Sequence, residues 1–257
     1  MSTWRIDNFC KKPTLKNAVL IEGLPGIGNV GKVATDFIVD ELNAKKLYEI
    51  TSDTFPHSVF VNKENLVELP RVEVFYKRLP KNDLLLVCGD VQPIDEISSY
   101  EFTEKILDLA KSFAVKEIIT LGGIGLAEIP KKPKVYCTGN SKKAVDKYKG
   151  GKVHTNLYGT VGPIVGVSGL LLGLSSRRKM DAVSLLAETY GHPMYLGVKG
   201  AREILKVLNH KLDIGIEVDK LEKEIKHLEE EIMKKTEELG GLNAPVTGLK
   251  KQVNYIG

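Results

Sequence analysis

Cysteine is scarce in this 257-residue chain, and Cys10, Cys88 and Cys137 stand far apart. So sparse and odd-numbered a set argues against a disulfide framework, and there is no Cys-x-x-Cys pair to build a metal site on. Cys88, inside "LLLVCGD", reads as a small buried apolar residue. Long hydrophobic runs are missing too. None approaches the roughly 20 residues that span a bilayer, and "MSTWRIDNFCKKPTLK" holds no apolar signal-peptide core. A cytoplasmic protein without membrane contact is expected. Nor does one sign of charge dominate. There are 37 basic and 33 acidic residues, a formal +4, with no long basic block, so nucleic acid is not an expected partner. His57, His154, His192, His210 and His227 never group at metal-ligand spacing, and no metal is expected. Neither H-E-x-x-H nor G-x-S-x-G occurs. Gly166-Val167-Ser168-Gly169 only begins like a nucleophile elbow, and Ser168 is given no catalytic role.

What is present is a composition of 42% hydrophobic and 27% charged residues, enough to bury a sizeable core. "AVLIEG" (18–23), "DLLLVCGD" (83–90) and "KEIITLGGIGL" (116–126) are short apolar runs ending in glycine, the pattern of buried parallel strands. "KKLYEIT" reads as a further strand. "PKVYCTGN" (133–140) and "GGKVHTNL" (150–157) read as weaker, partly exposed ones. After the first run, Val30, Val33, Ala34, Phe37, Ile38 and Leu42 recur at helical spacing. A second helix carries Phe102, Ile106, Leu109, Ala110 and Phe113 on one face, with Ser98 or Ser99 as its N-cap. Residues 198–212 form another. Residues 57–78 alternate around the turn former "NKEN" and predict an antiparallel hairpin. Residues 160–179 read as a strand-to-helix passage, and the rhythm of 181–191 fits strand or helix. Strands alternating with helices predict an α/β fold, a largely parallel sheet flanked by helices with a C-terminal helical extension.

The first turn raises a chemical question. Gly26, Gly28, Gly31 and Lys32 match G-x-G-x-x-G and nearly match a phosphate-binding loop. A helix N-terminus behind such a turn exposes unpaired N–H groups able to hold an anion. Val33, however, stands where a phosphate-binding loop needs Ser or Thr to hold magnesium. Asp53 is the one fair candidate for the ribose-binding acid of a dinucleotide site. The other role for these glycines is a tight turn with close helix–sheet packing, and this is the expectation adopted, with no cofactor. Glu22, Asp90 and Glu188 lie near apolar runs and are expected to cap or face solvent. The glycines of "LGGIGLAE" and "VGPIVGVSGLLLG" fall at the sheet's carboxyl edge, where they suit either a cleft or a subunit contact.

The chain changes character near residue 213, which divides an α/β domain (1–213) from a C-terminal helix and tail (214–257). Val218, Ile225 and Ile232 fall on one heptad position and Leu221 and Leu228 on the other, a helical seam. A helix over 214–239 would be roughly 38 Å long at 1.5 Å per residue. Gly240-Gly241 stops it.

"LIEGLPGIGNVGKVATDFIVDEL", "DLLLVCGDVQP", "IITLGGIG" and "GPIVGVSGLLLGL…LLAETYG", in this order, resemble the PAC2 family, archaeal homologues of proteasome-assembly chaperones. The resemblance spans about residues 17–210. It implies an α/β domain that oligomerises and assists or engages the 20S proteasome, and the reading adopted is a non-enzymatic homo-oligomer that binds 20S α subunits. It also implies a role for the C-terminus, because proteasome partners often end in a hydrophobic–tyrosine–any-residue motif. Here Tyr255, Ile256 and Gly257 close the chain; the tyrosine is third from the end and Asn254 precedes it. The alternative kept beside this reading is a nucleotide-dependent ligase or hydrolase using the glycine loop.

Overall fold

The computed structural model describes residues 4–157, 162–192, 195–218 and 220–221. The chain divides into a unit Met1–Val218 and a unit Asp219–Gly257. Ile214, Ile216 and Val218 are buried.

β1 (Trp4–Asn8) and β2 (Val19–Gly23) are followed by a single 3-10 turn (Ile27–Asn29) and α1 (Val30–Glu41). Then come β3 (Lys45–Ser52), β4 (Phe60–Val61), β5 (Val67–Glu68), β6 (Val72–Lys77) and β7 (Leu84–Gly89). α2 (Glu96–Ser112), β8 (Glu117–Leu126), β9 (Val135–Gly139), α3 (Lys142–Asp146) and β10 (Val153–His154) follow, and α4 (Val167–Arg177), β11 (Asp181–Tyr190) and α5 (Val198–Leu212) complete the series. Nine strands form one sheet in the order β1-β3-β6-β7-β2-β8-β11-β9-β10. Its centre, β7-β2-β8-β11, is parallel throughout. The margins mix directions: β1, β3 and β6 add antiparallel strands on one side, and β9 pairs antiparallel with β11 on the other. The parallel centre has no exposed face. Leu84, Leu85, Leu86 and Val87 are all fully buried, which is why these strands read as continuous apolar runs.

Helices cover both faces. Leu20, Leu85, Val87, Ile118 and Ala182 pack with Phe102, Ile106 and Leu107 of α2 and Leu171 and Leu174 of α4. α1 and α5 pack together, α1 against β2, β7 and β8 and α5 against β11. An interior of this kind stabilises at about 25 cal/mol per Å² of apolar surface removed from water.

Three local expectations change, and one left open is settled. α2 begins at Glu96 and is capped by Asp95, whose carboxylate accepts from the Ser98 amide at 2.9 Å. Ser98 and Ser99 therefore lie in the first turn, where their hydroxyls bond back to Asp95. The predicted hairpin of 57–78 splits: β4 and β5 pair as a small sheet of their own, and β6 joins the main sheet. "NKEN" does form its turn, with the Asn62 side-chain oxygen accepting from the Glu64 and Leu66 amides and Asn65 at φ 59°. Among the described residues of 160–179 there is a helix and no strand. Residues 181–190 are the strand β11, whose Ala182–Ala187 stretch is buried, as a strand covered on two faces requires.

Candidate functional site

α1 follows β2 on one face of the sheet, and α2 follows β7 on the other. β2 and β7 are neighbours, so the connections diverge between their carboxyl ends. That is the topological switch point, where open α/β sheets leave a crevice. A cleft of about 570 Å³ opens there, lined by Gly26 and Ile27 after β2, Gln92 and Pro93 after β7, and Gly122 and Gly123 of β8. Residues 162–166 and Ser168, at the start of α4, form its other wall. Of the two roles left open for the glycines at the sheet's carboxyl edge, a cleft is the one realised in the chain by itself.

Gln92 ties the walls together. Its amide nitrogen donates to the Pro25 carbonyl at 2.5 Å, and its oxygen accepts from the Val167 amide at 2.9 Å. The side chain thereby caps α4, whose preceding Gly166 has φ 83° and offers no cap of its own. Beneath the cleft lies Glu22, fully buried. Its carboxylate accepts from the Ser168 hydroxyl at 2.9 and 3.2 Å and from the Leu24 amide at 3.1 Å. Burial pushes its pKa up to about 7, and those hydrogen bonds hold it back only in part. Glu22 therefore neither caps a helix nor faces solvent. Glu188 turns toward the sheet margin, accepting from the Lys134 amide at 3.0 Å and the Tyr136 hydroxyl at 3.2 Å. Asp90, like Glu188, is partly exposed, and it pairs with Lys32 at 3.5 Å.

The glycine loop is built for packing. A Cβ on Gly31 would lie 2.3 Å from the Leu121 carbonyl oxygen, and one on Gly23 would lie 2.2 Å from the Gly31 carbonyl oxygen. α1 thus rests directly on the backbones of β2 and β8. Gly28 has φ 60°, and its carbonyl accepts from the Gly197 amide at 2.7 Å. Lys32 points to carboxylates, at 3.0 Å from Asp36 and 3.5 Å from Asp90. Burial opposes its charge, yet the two acids outweigh burial and its pKa is raised. The cleft therefore presents glycine backbone, apolar side chains, the Gln92 amide and the Ser168 hydroxyl, with no lysine or arginine among the described residues of its walls. The dinucleotide geometry is missing as well. β3, which follows α1, is separated from β2 by β6 and β7, and Asp53 beyond it pairs with exposed Arg5 at 3.4 Å. Among the described residues no three His, Cys, Asp or Glu side chains gather as a metal site, and no helix is long and apolar enough to cross a membrane. Cys88 is buried, and burial holds its thiol well above the usual range.

The PAC2 family model matches residues 20–236. The chain belongs to the PAC2 family. A PAC2-type fold also shows in the solved structures. Pyrococcus furiosus PbaB, an archaeal proteasome activator, is 34% identical with a TM-score of 0.82, over 92% of this chain and 100% of that one. Pyrococcus furiosus PbaA, an archaeal homologue of proteasome-assembly chaperone, is 25% identical with a TM-score of 0.74, over 92% of this chain and 93% of that one. The Methanocaldococcus jannaschii protein MJ1210 is 33% identical over 95% of this chain and 93% of its own length. In this PAC2 chain Val218, the first seam residue, is buried within the first unit, and Leu221 is buried too. Ile225, Leu228 and Ile232, and the tail residues Tyr255, Ile256 and Gly257, lie outside the described residues. Sequence reasoning missed Gln92 and the Glu22–Ser168 pair. Glu22 carried one signal, a lone carboxylate inside an otherwise apolar strand that had to find a partner.

Proposed function

We propose that this chain is a non-enzymatic, cytoplasmic, homo-oligomeric proteasome-assembly chaperone or proteasome activator. It engages 20S α subunits, partly through the C-terminal residues Tyr255, Ile256 and Gly257. The similarity to PbaB, a proteasome activator, over 92% of this chain carries the reading. The first unit adds support for surface-based work. Val61, Val67 and Leu69 on or beside the β4–β5 hairpin are 66%, 67% and 66% exposed. An isolated two-stranded hairpin is marginal in water, and contiguous apolar exposure marks a contact surface. Every copy carries the same hairpin, so a second copy is a self-complementary occupant. The nucleotide-enzyme alternative is weakened, because Lys32 is held by Asp36 and Asp90 and Asp53 lies beyond β3, which two strands separate from β2.

The test mixes purified proteasome α subunits with the full chain and with a form truncated after Gly240. Binding by the full chain and loss on truncation is expected. Equal binding by both forms removes the tail from the mechanism, and no binding by either removes the α subunits as partners. Calorimetric titration with ATP and magnesium is expected to give no saturable heat. Submillimolar binding abolished by Lys32→Ala would restore the enzyme.

A further inference from the structure

The far margin of the sheet carries a second groove that the proposed function does not use. It has a volume of about 950 Å³ and lies between the β9–β10 margin and α5. Lys132, Lys134 and Lys152 stand on the strand side; Arg202, Lys206 and Lys211 stand on the helix side. Glu203 is the one carboxylate among its lining residues. Six cations less one acid leave +5 in this groove, whereas the whole chain carries +4. The net charge of the chain is therefore concentrated here, and the remainder is close to neutral.

The lysine charge is poorly compensated from within. Glu203 is shared between Arg202 at 2.9 Å and Lys206 at 3.0 Å. Lys211 reaches only the Lys149 carbonyl oxygen, at 3.4 Å. Among the described residues the ammonium groups of Lys132, Lys134 and Lys152 have no carboxylate within ion-pair distance. Elsewhere in this unit cations do find acids: Lys32 has Asp36 and Asp90, Arg178 has Glu104 and Asp108, and Lys147 has Glu117 and Asp181. Arg202 and Lys206 also stand four residues apart along α5. Like charges at that spacing weaken a helix by a few tenths of a kcal/mol, a cost that an acidic ligand would offset.

The shape narrows the ligand. The volume exceeds what a single phosphate or carboxylate needs, and Val135, Val153 and Val207 supply apolar lining. Among the described residues β10 ends the sheet: it pairs with β9, and beyond that Val153 makes an isolated bridge to Gly150. A terminal strand presents backbone donors and acceptors to an added strand. Gly150 and Gly151, at φ 98° and 62°, open the chain beside it, with nothing within 4 Å of a Cβ at either. Among the described residues the groove's lining has no Phe, Tyr or Trp on which bases could stack, and the ring of its His154 lies 5.3 Å from that of Tyr136. We propose that this groove binds an extended acidic peptide segment of a protein partner, carboxylates on the two basic walls and apolar side chains on the valines.

The experiment measures fluorescence anisotropy of a fluorescein-labelled peptide alternating Glu and Val, titrated with the full chain. Wild type is compared with Lys152→Glu/Lys206→Glu and with the milder Lys152→Gln/Lys206→Gln; a length-matched oligodeoxythymidine and inorganic pyrophosphate serve as rival ligands. Saturable peptide binding is expected. It should weaken with added salt and fall about tenfold or more on charge reversal, with an intermediate loss for the glutamine pair. Unchanged melting temperatures would show that the variants fold. No peptide binding at low salt, or binding indifferent to both double variants, overturns the proposal. Tighter binding of the oligonucleotide reassigns the groove to nucleic acid, and full competition by pyrophosphate reassigns it to a small anion. No proteasome subunit enters this assay, so its failure leaves the tail-truncation test untouched.

Discussion

Gly31 and Gly26 share a turn but meet different surroundings. A Cβ on Gly31 would press on the Leu121 carbonyl oxygen at 2.3 Å, whereas one on Gly26 has nothing within 4 Å. Gly26 is also extended, at φ −162°, which any residue adopts. Helix propensity favours Ala over Gly by about 1 kcal/mol. At Gly31 the displaced backbone outweighs that gain, and Gly31→Ala is expected to cost about 2 kcal/mol. Gly26→Ala should change stability by less than about 0.5 kcal/mol. Chemical denaturation of the two variants checks the contrast, and equal costs would mean that α1 does not rest on β8 as described. The packing role of these glycines was legible from their spacing, but which glycine carries it was not. That depends on how close the β8 backbone comes, and sequence separation does not encode that distance. Glu22 makes the same point. Its partner Ser168 lies 146 residues away in the chain. Its raised pKa of about 7 has a definite consequence. Between about 4.5 and 7 the folded state holds a proton that the unfolded chain releases, so stability falls as pH rises through that window, by about 3 kcal/mol at most. Glu22→Gln keeps the acceptor for the Leu24 amide and removes the titration. Its stability should stay flat where the wild type declines, and parallel profiles from thermal melts across pH 4.5–7 would contradict this.

Among the elements, the parallel centre was readable because strands buried on both faces are apolar throughout, and their terminal glycines mark where the backbone turns. The margins were not. β1 occupies a polar stretch, "WRIDN", with only Trp4 buried; its place comes from Trp4, which meets Phe55 and Phe102 at 5.6 and 5.3 Å. The hairpin 57–78 divided because its two halves have different company. β6 buries Val72 and Val74 against β3 and β7, whereas among the described residues β4 and β5 pair only with each other. That unpartnered pair is the element on which the proposed self-association turns. Val61 and Val67 are paired across it, so Val61→Asp/Val67→Asp places two like charges in register, which also weakens the hairpin itself. The sheet carries neither side chain, so the melting temperature of the main body should hardly move. Native mass, measured by light scattering, should drop to that of one chain, 28.4 kDa. An undiminished oligomer would place the subunit contact elsewhere, with the exposed Ile94, Ile97 and Val165 as the next candidates.

For the whole molecule, the proposed mechanism joins two weak features into one strong one. On that proposal the tail residues Tyr255, Ile256 and Gly257 depart from the hydrophobic–tyrosine–any-residue pattern, and a single such tail is expected to bind weakly. Copies held on one oligomer bind a multi-subunit ring with an effective concentration set by the tether, and avidity can exceed single-site affinity by about two to four orders of magnitude without a new contact. The hairpin variant separates these contributions, because it keeps every tail residue and loses only its neighbours. Its engagement of purified α-subunit rings, followed by surface plasmon resonance, should be weaker than that of the wild type by at least about a hundredfold, with the loss in dissociation rate. Fusing the variant to an unrelated oligomeric scaffold should restore slow dissociation. If the single chain instead leaves the ring as slowly as the assembly does, a direct contact from the α/β unit carries the affinity, and the number of tails is irrelevant to how this protein holds its partner.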